Sequence, residues 1–133
     1  MDVAGAYVLP GLIDLHTHGI EYESTKGGSL RACAQAEAAH GATTCFATFF
    51  GPSAQSAYLM ERYRRETNEL RDVLNVGGFR LESLYLARAS GGASKDIEPI
   101  KPETTEDLLR AGGGHIKFGD VSPELPRAIE LIP

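Results

Sequence analysis

The sequence predicts an α/β fold built on a parallel sheet. Three observations carry that reading. Strand-like and helix-like runs alternate in the order β-α-β-α-β-loop-α-β-α, and strict alternation belongs to parallel sheets with right-handed crossovers. The first strand-like run is short, apolar and flanked by Gly and Pro, as expected for a strand in a fully covered parallel sheet. The length of 133 residues, 42% of them apolar, suits one ordinary domain with its own core.

Each element has a local reason. Pro10-Gly11 turns the chain into a short buried strand, LIDLH. Residues 19–29 carry Gly19, Gly27, Gly28, Ser24 and Ser29 and read as a loop. Ser29 is placed to cap a helix through LRACAQAEAAH, and Gly41 stands where that helix should stop. ATTCFATFF, residues 42–50, is rich in Thr and Phe and reads as a second strand, broken by Gly51-Pro52-Ser53. A long amphipathic helix is expected over 54–71, with Tyr58, Leu59, Arg62, Tyr63, Glu66 and Leu70 recurring at three and four. VLNVGGFRLE, 73–82, reads as a third strand containing a Gly pair. Residues 83–103 read as a loop, and Thr104 or Thr105 as the cap of a short helix, EDLLRA, that ends at Gly112 to Gly114. HIKFGDVS reads as the fourth strand, and ELPRAIELI as a last helix between Pro123, Pro126 and Pro133.

Charge narrows the function classes. Thirteen basic against eighteen acidic residues give a net charge of -5, which argues against a nucleic-acid partner. The densest basic group, Arg62, Arg64 and Arg65, shares its helix with Glu61, Glu66 and Glu69 and reads as a solvated face. Two cysteines, Cys33 and Cys45, are too few for a disulfide framework, match no zinc spacing, and read as reduced buried thiols. No run approaches the roughly 20 apolar residues of a membrane span, and the N-terminus lacks a signal-peptide pattern. A cytoplasmic protein without a membrane partner is expected.

The chemistry-bearing motif is GLIDLHTHG, residues 11–19. In a strand, residues i and i+2 face one side, so His16 and His18 project together about 6–7 Å apart at Cα. Two imidazoles so placed can chelate one ion, and Asp14, on the same face of a regular strand, could hold an imidazole N–H. A bare His-x-His equally fits a packed or solvent-facing pair. Its place at the C-terminal end of the first strand favours the metal, because ligands gather at that end of parallel α/β sheets.

LPGLIDLHTHG resembles the metal-binding signature of the amidohydrolase superfamily. GATTCFAT resembles the Gly-Thr-Thr second strand of N-acetylglucosamine-6-phosphate deacetylases, GGFRLESLYLARASGGAS their third-strand stretch, and IKFGDVSPELPRAIELI their fourth strand and following helix. The resemblance runs in order along nearly the whole chain. It implies a (β/α)8 barrel of the TIM type that hydrolyses the acetamide of a phosphorylated amino sugar with one or two divalent metals, zinc first, with iron, cobalt or manganese as alternatives. It also implies that Glu82, matching the family's third-strand glutamate, joins His16 and His18 as a ligand, and that Ala93 lies at the sugar.

The chain departs from the family at Arg80, Ser83, Leu84 and Ser94, where the family has histidine, glycine, proline and histidine. A buried polar group left without its partner costs roughly 1–3 kcal/mol, so these changes bear on which substrate fits. A (β/α)8 barrel takes about 250 residues. Residues 1–133 are therefore expected to form a single partial barrel domain of about four βα units, without the second half or the flanking β-sandwich. The general base is expected beyond residue 133, so no catalytic residue is assigned and activity of these residues alone is expected to be weak or absent. His40 and His115 are expected to be structural or exposed. Open sheet edges invite pairing, so a homodimer or higher homo-oligomer is expected. Two other readings stand beside this one: a dihydroorotase-like amidohydrolase using Lys117 on the fourth strand, and a non-enzymatic half-barrel kept for assembly.

Overall fold

Four strands pair in sequence order, β1-β2-β3-β4, all parallel. They are β1 (Leu12–Thr17), β2 (Ala42–Phe50), β3 (Asn75–Tyr85) and β4 (Ile116–Val121). Helices α1 (Leu30–Ala39), α2 (Ser53–Glu66) and α3 (Pro102–Gly112) form the crossovers, and a short α4 (Ala128–Leu131) follows β4. The result is a curled half-barrel, (β/α)4. The computed structural model describes residues 3–20, 24–87 and 97–131.

The alternation of strand residues explains where the core lies. Cys45, Ala47 and Phe49 of β2 and Phe79 of β3 point to the helices and are at most 3% exposed. Phe49 meets Phe79 edge-on at 5.2 Å and Tyr63 at 5.9 Å. Helix α1 buries Leu30, Cys33, Ala34 and Glu37, and α2 buries Ser56, Leu59, Met60 and Tyr63. Both sets run i, i+3, i+4, i+7, the spacing of one helical face. The other face of the sheet is concave and carries Phe46 against Phe118, with ring centroids 5.1 Å apart.

Several expectations need correction. The first strand is not buried: Leu12, Ile13 and Leu15 are 65%, 63% and 51% exposed, because β1 is an edge strand. Tyr58 lies outside the buried stripe of α2 and is 67% exposed. That helix ends at Glu66 and tightens into a 3₁₀ turn over Thr67–Leu70 rather than running to residue 71. Strand β3 continues to Tyr85, three residues further than its apolar pattern indicated, and Ser122 N donates to Tyr85 O beyond it. Helix α3 starts earlier than Thr104: Pro102 opens it, where a missing N–H costs nothing, and Thr105 sits in the first turn with its hydroxyl on Lys101 O.

Other signals read correctly. Ser29 Oγ accepts from Ala32 N and caps α1, and β2 spans Ala42–Phe50 as its composition indicated. Gly113 ends α3 in the left-handed region, φ +54°. The Arg62, Arg64 and Arg65 cluster pairs with Glu61 and Glu66 along α2, a solvated face. Cys33 and Cys45 are both buried. No helix among the described residues is long and apolar enough to cross a membrane.

Candidate metal centre

Thr17 orients the histidine pair. It faces the helices, 5% exposed, and its hydroxyl donates to Glu37 of α1 and accepts from Gly19 N at 3.0 Å. His16 and His18, one residue to either side, therefore project onto the concave face. Pairing between β1 and β2 slips between Asp14 and Thr17, where three steps on β1 match two on β2. A slip of this kind takes a backbone amide out of the ladder, and that amide still needs a partner. Asp14 supplies it: Oδ1 accepts His16 N at 2.8 Å. The expected contact of Asp14 with an imidazole is thus replaced by a contact with the backbone, because the strand is not regular there.

Glu82 arrives from β3, across β2. Its register partner on β2 is Phe50, and the His18 ring stands edge-on to Phe50 at 5.8 Å. Strands two apart lie about 9.5 Å from each other, a gap that two long side chains close. Glu82 Oε2 lies 2.8 Å from His16 Nε2 and 2.6 Å from His18 Nε2, and the two nitrogens are 3.3 Å apart. Burial raises the Glu82 carboxyl, but hydrogen bonds and charge from His16 and then His18 outweigh it and hold the group below its ordinary value. The histidine side chains are 41% and 42% exposed and the glutamate 24%, so the cluster opens to solvent.

The donor set fits a small divalent ion. Tetrahedral bonds near 2.0–2.1 Å put neighbouring donor atoms about 3.3 Å apart, the separation of the two Nε2 atoms. The carboxylate oxygen sits closer, at hydrogen-bond range, and needs to retreat by about half an ångström. His16, His18 and Glu82 are a cluster capable of coordinating a divalent metal.

The remaining candidates lie elsewhere. Arg80, one alternation below Glu82, pairs with Asp120 of β4 at 2.7 Å, and its buried Nε has no hydrogen-bond partner among the described residues. Lys117 lies at the start of β4 and donates to Gly114 O at 2.9 Å, away from the histidines. The His40 ring lies 2.8 Å from Ala36 O at the end of α1, and the His115 ring lies against Phe79 before β4. Ser83 and Leu84 fall within β3. Ala93 and Ser94 lie outside the described residues. Sequence reasoning passed over Thr17, Glu37, Lys26, Phe50 and Asp120. Only Asp120, near the C-terminal end of a strand, carried a signal of its own.

No protein-family model and no curated protein matches the chain. Solved structures do. The crystal structure of N-acetyl-D-glucosamine-6-phosphate deacetylase from Mycobacterium smegmatis aligns over 92% of this chain and 36% of its own, with 25% identity and a TM-score of 0.78. A mutant of the Mycobacterium smegmatis N-acetyl-D-glucosamine-6-phosphate deacetylase, in complex with N-acetyl-D-glucosamine-6-phosphate, aligns over 92% and 33%, with 22% identity and a TM-score of 0.76. The chain spans about a third of the length of these structures. It is structurally homologous to the N-terminal half-barrel of the deacetylase, consistent with the amidohydrolase superfamily fold.

Proposed function

We propose that residues 1–133 form one partial-barrel domain of a metal-dependent amidohydrolase that acts on the acetamide of a phosphorylated amino sugar. One observation carries this reading: two imidazole nitrogens and a carboxylate oxygen converge at the C-terminal end of a parallel half-barrel. The substrate class rests on the name of the Mycobacterium smegmatis enzyme that shares the fold. Zinc is the metal of choice for two imidazoles and one carboxylate.

A divalent ion in such a site polarises an amide carbonyl and makes water a better nucleophile near neutral pH. The chain's own residues do the holding. His16 and His18 offer Nε2 lone pairs, Glu82 offers negative charge, and Asp14 and Thr17 keep the β1 backbone from letting the imidazoles part. Among the described residues no second carboxylate joins the cluster to take a proton. We assign that role to a group outside these four strands, and its absence from an assay of these residues alone is expected to cost about 10²–10⁴ in rate.

The Lys117 reading loses support, because that ammonium is held at the far end of β4. The assembly reading keeps one supporting observation, the exposed apolar edge of β1. Elemental analysis after zinc loading separates it from the metal reading. About one equivalent is expected in the wild type and none in a His16→Ala/His18→Ala variant whose circular dichroism is unchanged. Wild-type protein that holds no metal would overturn the proposal. Acetate release from N-acetyl-D-glucosamine-6-phosphate then tests the substrate.

A further inference from the structure

Arg80 puts a fixed positive charge on the concave face, one alternation below Glu82. Its Nη2 donates to Asp120 Oδ1 at 2.7 Å, and both side chains are less than a third exposed. Its Cζ lies 5.9 Å from the centre of the Phe118 ring, which stands edge-on to Phe46. Its Nε is buried and has no hydrogen-bond partner among the described residues. A buried donor without a partner costs stability, and an apolar side chain would sit on the same aromatic floor without that cost. The charge therefore calls for a reason other than packing.

Asp120 supplies one. Leu81 of β3 pairs with Gly119 of β4, so one step further along Glu82 and Asp120 stand beside each other on neighbouring strands. Such strands lie about 4.8 Å apart. Two-metal centres set their ions about 3.5–4 Å apart, a span that carboxylates on adjacent strands can serve. Glu82 joins His16 and His18, whereas Asp120 is turned to Arg80. A guanidinium keeps its charge across the whole working range of pH. It neutralises Asp120 and repels a second cation from the space beside Glu82.

We propose that Arg80 stands in for a second metal ion and makes this a one-ion centre. The first ion rests on the metal reading above; the second charge rests on the geometry of Arg80, Asp120 and Phe118. A centre of this kind leaves proton removal to a side chain, in line with the base placed outside these four strands.

The test loads the 133-residue chain with manganese, whose unpaired electrons zinc lacks. Elemental analysis counts the ions, electron paramagnetic resonance reads whether they are neighbours, and circular dichroism checks that each variant folds. Wild type is expected to hold about one ion without spin coupling. Arg80→His removes the fixed charge, frees Asp120 and adds a donor on the same face as Glu82; about two ions are expected, coupled to one another. Arg80→His/Asp120→Asn is expected to return to about one. Two coupled ions in the wild type would overturn the proposal without any variant. No gain of an ion in folded Arg80→His, a second ion that shows no coupling, or one that survives Asp120→Asn would overturn it too, and a single ion in the wild type would leave the metal reading standing. A wild type that takes up no ion, beside an Arg80→His protein that takes one up through Asp120, would do the reverse.

Discussion

Thr17 shows how much one residue decides. Strand alternation sends it to the helices and its two neighbours to the concave face, and its hydroxyl bond to Glu37 fastens that choice. Cys45 and Tyr63 show the same alternation from the buried side. Burial pushes the Cys45 thiol up to about 12, with Glu37 the next contributor, and burial followed by Cys33 pushes the Tyr63 phenol up to about 12. Both groups stay neutral in the folded protein while the unfolded chain ionises from about 9 and 10 upward. Their contribution to stability is therefore whole below pH 9 and drains away as the pH rises toward 12. Thermal unfolding followed from pH 8 to 11.5 is expected to show a steady fall in Tm, and Cys45→Ser to flatten part of it. A thiol reagent at pH 8 is expected to label Cys45 only at the rate of global unfolding, and rapid labelling of Cys45 would show that the core is open.

At the scale of elements, β3 carries the densest constraints. Gly77 leaves room for the Phe46 ring, and Gly78 sits at φ +155° with a notional Cβ 2.6 Å from His115 O. His115 O also accepts Phe79 N at 2.8 Å, so neither strand can step aside without losing a β3–β4 bond. Gly78→Ala is expected to destabilise the protein by about 2–4 kcal/mol, read as a drop in denaturation midpoint with an unchanged slope. A midpoint within error of wild type would mean that the two strands have slack there. The Gly pair was visible in the sequence, inside the expected third strand. Which neighbour approaches was not visible, because Phe46 and His115 are brought in by sheet pairing. Helix α2 teaches the converse: its period was right and Leu59 and Tyr63 are buried as expected, but Met60 and not Tyr58 joins them, since both are apolar and only packing chooses between them.

At the scale of the molecule, the half-barrel leaves its first strand open. Tyr7, Val8 and Leu9 before β1, and Leu12, Ile13 and Leu15 on it, are all more than half exposed at an edge of the described sheet. Such edges associate unless something covers them. We expect the 133-residue chain on its own to form dimers at micromolar concentration, two half-sheets covering one another. Ile13→Lys on the edge is expected to shift sedimentation toward the monomer, and a wild-type chain that sediments as a monomer would refute the expectation. The order of elements, the cap at Ser29, the stop at Gly113 and the paired projection of His16 and His18 follow from rules that span a few residues, so the sequence by itself determined them. Glu82 reaches His16 across 66 residues of chain, Asp14 turns to the backbone at a slip between strands, and Lys26 comes to rest over Phe50. Each of these depends on register and curvature of the whole sheet. Only the tertiary structure sets those, because pairing energy is shared among strands and no local run of residues contains it.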